Sequence, residues 1–297
     1  LTLGLCDVAL IVYAQTPKGS RGGDLGSMAG MMSMMGASPM AQWDLPYGLG
    51  SPAASYSLAA SRHMAQYGKT SEQLAQIAVS TREWATMNPN ARFQTPLTID
   101  EVLASPWVAE PLHKLDCCLV TDGAGALILT RADRARDLRR PPVYVLGAGT
   151  AHTHAMSISQ MPDLTTTSAA ISGPKAFSMA GIKHDEVDVL MTYDSFTITT
   201  LLALEDLGFC EKGEGGAFVE DGKLGPGGTF PTNTNGGGLS YTHPGMYGMF
   251  VLVEAVRQLR GESGPRQIPN SKIAVANGCG GVLSACSTVV LGTEEAL

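Results

Sequence analysis

Two spacings of apolar residues alternate along this chain. Near the start, DVALIVYAQ is apolar almost without interruption, which predicts a central strand of a parallel sheet covered on both faces. Residues 51–87 change to a period of 3.6 and predict two helices. Pro52 opens the first, Gly68 breaks the run, Ser71 caps the second, and Asn88-Pro89 ends it. Thr98 and Glu101 form a capping box for a short helix. CCLVTDG and GALILT then read as a strand pair joined at Asp122-Gly123.

The pattern restarts after the prolines near residue 141. VYVLGAGTAH reads as a strand, residues 167–180 as a helix, and VDVLMTYDSF as a buried strand running straight into the helix TITTLLALEDLGFC. Next comes NTNGGGLSYTHPGMYG, residues 233–248, in which Pro244 presets the first turn of a helix over MFVLVEAVRQLRG. An antiparallel strand pair around Gly280-Gly281 closes the chain. Strands alternating with helices predict an α/β fold, in two similar halves at 1–140 and 141–297. Residues 16–50 interrupt the first half with little periodicity. Met28, Met31, Met32, Met34, Met35 and Met40 there give a soft apolar surface, either filler at a core or subunit interface or a lid over a bulky apolar substrate.

The 297 residues suffice for one large domain or two ordinary ones. A net charge of −7 argues against a nucleic-acid partner. The dense basic run at 131–140 carries two aspartates and reads as a solvated helix end. The six cysteines lack both a disulfide-scaffold density and metal-ligand spacing, so free thiols, no metal site and a cytoplasmic setting are expected. No apolar run reaches the length of a membrane span. The opening LTLGLCDVALIVYAQ lacks a basic leader and reads as a strand entered in mid-domain, so the first half is expected to be incomplete.

The chemistry concentrates at three corners of the second half, each read as a strand running into a helix: Tyr193-Asp194-Ser195-Phe196, Tyr241-Thr242-His243-Pro244-Gly245 and Cys279-Gly280-Gly281. Strand carboxyl ends gather on one edge of such a layer. That edge would hold a histidine and a thiol to move protons, and amides beside glycines to bind an oxyanion. A lone histidine after a glycine turn is more often a capping residue. The second glycine corner tilts the balance toward catalysis.

These corners resemble, in their order, the motifs of the thiolase superfamily, closest to sterol-carrier-protein-type thiolases. Thr242-His243-Pro244-Gly245 resembles the family's GHP loop, with Thr242 in place of glycine. Cys279-Gly280-Gly281 resembles its C-x-G loop, and Tyr193-Asp194-Ser195-Phe196 stands where the family carries HDCF or NEAF. The resemblance implies a thiolase-like αβαβα sandwich, a homodimer and coenzyme A thioesters as substrates, with no other cofactor. It implies His243 as base, Cys279 as proton shuttle and the Gly281 amide, beside Gly280, as oxyanion donor. Tyr193 would position the enolate oxygen or water, and Tyr241 would be a substrate contact. The family's nucleophilic cysteine has no counterpart, since Cys6 heads a strand, so these residues alone are expected to be inactive in thiolysis. Acyl transfer is the favoured reading. Thiolase-like lyases that use tyrosines for retro-aldol cleavage are the alternative, and a non-catalytic scaffold subunit is a third. Members of this branch also imply a small zinc-ribbon/OB-fold partner protein.

Overall fold

The computed structural model describes residues 1–19, 36 and 38–297. Met28, Met31, Met32, Met34 and Met35, and with them the lid-or-filler expectation, lie outside the described residues. Met40 opens a π-helical turn, Met40–Asp44, and packs on the core.

The chain runs β1 (Val8–Gln15), α1 (Pro52–Tyr67), α2 (Ser71–Thr86), α3 (Ile99–Ala104), β2 (Trp107–Ala109), β3 (Leu112–His113), β4 (Gly123–Thr130) and α4 (Ala132–Ala135). It continues β5 (Tyr144–His152), α5 (Ala169–Ala180), β6 (Val189–Thr192), α6 (Thr197–Asp206), α7 (Gly215–Phe218), α8 (Gly248–Leu259), β7 (Ile273–Gly280) and β8 (Ala285–Gly292). Strands β5, β8, β7 and β6 form one sheet in that order, with β6 parallel to β7 and the other pairs antiparallel. Along β6, Leu190 faces one core while Val189 and Met191 face the other, as the two-residue period of a strand requires. The first core joins the sheet to α1, α2, α5 and α6. The second joins it to α8, whose far side is covered by the β1–β4 ribbon through Tyr13 and Leu127.

Helix α6 is buried in all ten residues, Leu201, Leu202 and Leu204 among them. Each such leucine contributes roughly 1.5–3 kcal/mol of burial. Polar side chains at both of its ends are paired: Thr197 donates to Asp116 at 2.8 Å, Glu205 binds His63 at 2.9 Å, and Asp206 accepts from Thr167. Outside it, α5 lies so close to β5 that a Cβ on Gly147 would sit 2.1 Å from the Ala176 carbonyl oxygen. Only glycine allows that approach.

Several expectations need correction. The opening strand is not a central parallel one: β1 pairs antiparallel with β4, Val8 opposite Thr130, and Leu10 and Val12 are exposed. Its unbroken apolar run misled because periodicity cannot tell a doubly buried strand from an apolar ribbon. CCLVTDG is not the hairpin partner of GALILT. Residues 117–122 form no strand and instead cross the ends of other elements, described below. The second helix is capped by Thr70, not Ser71, with Gln73 completing a capping box. Pro244 does not open α8, which starts four residues later at Gly248. Cys279-Gly280-Gly281 ends a strand but turns into β8, not a helix. Pro52 at the start of α1, the Thr98–Glu101 box and the closing antiparallel pair stand as read, and Ser51 caps α1.

Candidate active site

The glycine run is held by a buried carboxylate. Asp194, just past the end of β6, accepts from the Gly238 amide at 2.6 Å and from Leu239 at 3.3 Å. Gly237 has φ +61°, and a Cβ there would collide with Asp194 Oδ2, so the turn requires glycine. From it a π-helical turn, Gly237–Tyr241, swings the chain toward His243. Arg82 Nε holds that turn by donating to Ser240 Oγ at 2.8 Å. Beyond the histidine, the Tyr13 phenol donates to the Pro244 carbonyl and accepts from the Met246 amide. Both halves of the chain therefore grip the histidine loop.

The side chains of Tyr193 and His243 meet at 2.8 Å, Oη to Nε2, with their rings stacked at 22°. Burial pushes the His243 imidazole below its ordinary value, offset in part by hydrogen bonds to the backbone of His243 and Leu119. Burial, with Cys118 and Asp194 nearby, pushes the Tyr193 phenol up. A neutral imidazole and a protonated phenol make Tyr193 the donor and Nε2 the acceptor. Tyr247, wholly buried, packs on both rings, 6.1 Å from that of His243 and 6.2 Å from that of Tyr193, and donates to Asn235 Oδ1 at 3.0 Å.

Tyr193 also joins the histidine to the strand of the third corner, its amide donating to the Asn277 carbonyl of β7 at 2.9 Å, two residues before Cys279. Cys279 is buried, directly opposite Cys286 across the β7–β8 pair. A hydrogen bond to the Cys286 thiol and burial together keep Cys279 protonated at neutral pH. Gly280 and Gly281 are exposed at the hairpin, and Gly281 has φ +63°. The Tyr56 phenol of α1 reaches the Gly281 carbonyl at 3.5 Å from behind.

The structure thus brings Tyr193 together with His243 and Cys279, with Gly280 and Gly281 at the open edge. Tyr241 is not part of that group. Its ring packs edge-on against Phe250 at 6.4 Å and lines a small cavity of about 20 Å³ with Asn88, Glu254, Arg257 and Arg266. Cys118 lies beside Tyr193 and Asp194, its thiol pushed up to about 12 by burial and then by Asp194 and Cys117. Among the described residues no group of three or more His, Cys, Asp and Glu is arranged to hold a metal ion. Asp194, Thr121, Tyr247 and Tyr56 were not read as site residues from the sequence. Asp194 had a signal, an acid beside Tyr193 at a strand end, whereas Tyr56 and Thr121 are brought in by tertiary contacts alone.

This layered α/β frame with a histidine loop and a cysteine hairpin at one sheet edge defines a thiolase-like protein, and the chain belongs to the thiolase superfamily. The family model "Thiolase C-terminal domain-like" matches residues 149–293. An acetyl-CoA acetyltransferase of Methanothermobacter thermautotrophicus is 40% identical over 81% of this chain, which spans 63% of that relative's length. A steroid side-chain-cleaving aldolase of Thermomonospora curvata is 35% identical over 98% of this chain and 75% of its own. The solved "Ltp2-ChsH2(DUF35) aldolase" superposes with a TM-score of 0.87 at 33% identity, covering 100% of this chain and 75% of that one.

Proposed function

We propose that this protein is a thiolase-like lyase that cleaves a β-hydroxyacyl thioester of coenzyme A by a retro-aldol step. The observation that carries the reading is the 2.8 Å contact between the Tyr193 phenol and His243 Nε2. The neutral imidazole takes the phenol proton as the phenol oxygen takes the proton of the substrate β-hydroxyl. The oxygen lone pair then forms the carbonyl of a departing ketone or aldehyde while the Cα–Cβ bond breaks. Its electron pair moves onto the thioester as an enolate, whose oxygen is held by amides at Gly280 and Gly281. The protonated Cys279 thiol delivers a proton to Cα, giving a shortened acyl thioester. No covalent acyl-enzyme is required. Support comes from the likeness to the two aldolases, one described as cleaving steroid side chains, which suits a large apolar acyl group.

Acyl transfer, the sequence-level preference, remains the second reading, favoured by the acetyltransferase relative and by the retention of both His243 and Cys279. We further propose that the protein works with a partner subunit, as the aldolase complex does by name. The zinc-ribbon/OB-fold character of that partner, a homodimer and a cytoplasmic location belong to the same proposal. The test is Tyr193→Phe. Under the lyase reading it lowers C–C cleavage of a β-hydroxyacyl-CoA by about 10²–10⁴-fold, the range for a positioned acid–base group. Cleavage within a few-fold of the parent would remove Tyr193 from the mechanism.

A further inference from the structure

Residues 117–121, expected as half of a hairpin, run as a strap across two of the three corners. The Cys118 amide donates to the Ser195 carbonyl at 2.9 Å, and the Leu119 amide to the Gly238 carbonyl at 2.9 Å. The strap ends on His243. The Thr121 amide donates to the His243 carbonyl at 3.3 Å, and the His243 amide donates back to Thr121 Oγ1 at 2.8 Å. Thr121 Oγ1 also shares a proton with Thr242 Oγ1 at 2.7 Å. Thr242 is the residue at which this chain departs from the glycine of the resembled loop, and Thr121 is its partner.

We propose that the Thr121–Thr242 hydroxyl pair is a positioning device that fixes the backbone of His243, and through it the angle at which Nε2 meets Tyr193. The imidazole is two rotatable bonds from the backbone, so where the His243 N–Cα bond points sets its aim together with the hydrogen bonds of the ring to the His243 and Leu119 backbone. Tyr13 grips the loop after the histidine and Asp194 grips it five residues before. Neither touches His243 itself. Thr121 does, with a hydroxyl that accepts from the histidine amide and is itself oriented by Thr242. A Val at 121 matches Thr in shape but leaves the histidine amide and the Thr242 hydroxyl without their partner. A displacement of even 1 Å at the imidazole is enough to cost on the order of 10²-fold in rate. Thr121 is only half-buried, so the substitution does not open the core.

The kinetic arm of the test rests on the reading of His243 as the proton acceptor, and the other arm does not. With purified protein, Thr121→Val and Thr242→Val are each expected to lower kcat by roughly 10- to 100-fold with KM unchanged, the pattern of a group that acts only in the transition state. Thr121→Ser, which keeps the hydroxyl, should recover most of the loss. The melting temperature should move little for all three. Independently of activity, the His243 ring signal, assigned by its absence in His243→Gln, should titrate at a higher pH in Thr121→Val once the imidazole leaves its buried site. An unchanged His243 titration together with unaltered kcat in Thr121→Val overturns the proposal. An inactive parent whose His243 titration still shifts in Thr121→Val sinks the lyase reading and leaves the positioning role standing. Loss of activity in Thr121→Ser as severe as in Thr121→Val would also overturn it, because the hydroxyl would then not be what matters.

Discussion

Replacing Asp194 by Asn should reverse its sign of effect on stability between acid and alkaline pH. Burial raises the Asp194 carboxyl from its ordinary 3.8 to about 7, even though it accepts from the Gly238 and Leu239 amides, which favour the ionised form. Between those two values the folded protein holds a proton that the unfolded chain has released. Stability from this group is therefore lost as pH rises, and is fully lost above about 7. Each tenfold change in proton affinity is worth about 1.4 kcal/mol, so the gap corresponds to on the order of 4 kcal/mol. Asn cannot ionise, but it keeps only one acceptor oxygen for the two amides, at a cost of about 1 kcal/mol. At pH 3, below both values, the variant should be less stable by about 1 kcal/mol. At pH 8 it should be more stable by roughly 2–3 kcal/mol, because it escapes the buried charge. Urea unfolding at the two pH values reads both, and the slope m should stay constant. His243, held below its ordinary value by burial, pulls the other way in parent and variant alike, so it cancels in the difference. Parallel pH profiles for parent and variant would refute the argument and mean that Asp194 is ionised throughout.

Two further effects follow from packing and charge. Gly147→Ala drives a Cβ against the Ala176 carbonyl oxygen and the Ala180 amide of α5 and should cost at least ~2 kcal/mol in urea unfolding. Gly248→Ala, with no atom within 4 Å of the new Cβ, is the neutral control. Burial pushes the Glu205 carboxyl up, but His63 and Lys212 outweigh it and hold the group below its ordinary value. Glu205→Gln should then lower stability at pH 7 by about 3 kcal/mol, a deficit that shrinks as pH falls through the carboxylate range and the parent also loses its charge. A deficit constant from pH 7 to pH 3 in calorimetric melts would contradict this.

What the chain disclosed in advance was local. The helices of residues 51–87, the Thr98 box and the closing strand pair came from periodicity and capping chemistry, which act over a few residues. The three corners were legible because glycine runs beside His243 and Cys279, and an aromatic–acid pair at a strand end, leave marks in sequence. What was missed is long-range. Nothing near Val8 says that its partner is Thr130, and nothing near Thr121 says that it will meet His243, 122 positions away. CCLVT was misread because an apolar run followed by Asp-Gly has the look of a hairpin arm, whereas backbone groups at the ends of β6 and of the glycine turn compete for the same amides and win. Tyr241 was placed near the chemistry by the family resemblance, but its ring packs edge-on against Phe250 and lines a separate small cavity.

The central claim is that Tyr193, His243 and Cys279 form one proton-moving unit that breaks a C–C bond without a second thioester. The most direct measurement is product stoichiometry on a β-hydroxyacyl-CoA in deuterated water, with and without free coenzyme A. The account predicts one ketone or aldehyde and one shortened acyl-CoA per turnover, a single deuterium at the α-carbon of the acyl product, and no dependence on free coenzyme A. Consumption of one coenzyme A per turnover with a 3-oxoacyl thioester, giving two thioesters and no free carbonyl product, together with no cleavage of the β-hydroxyacyl substrate, would contradict it and establish acyl transfer in its place.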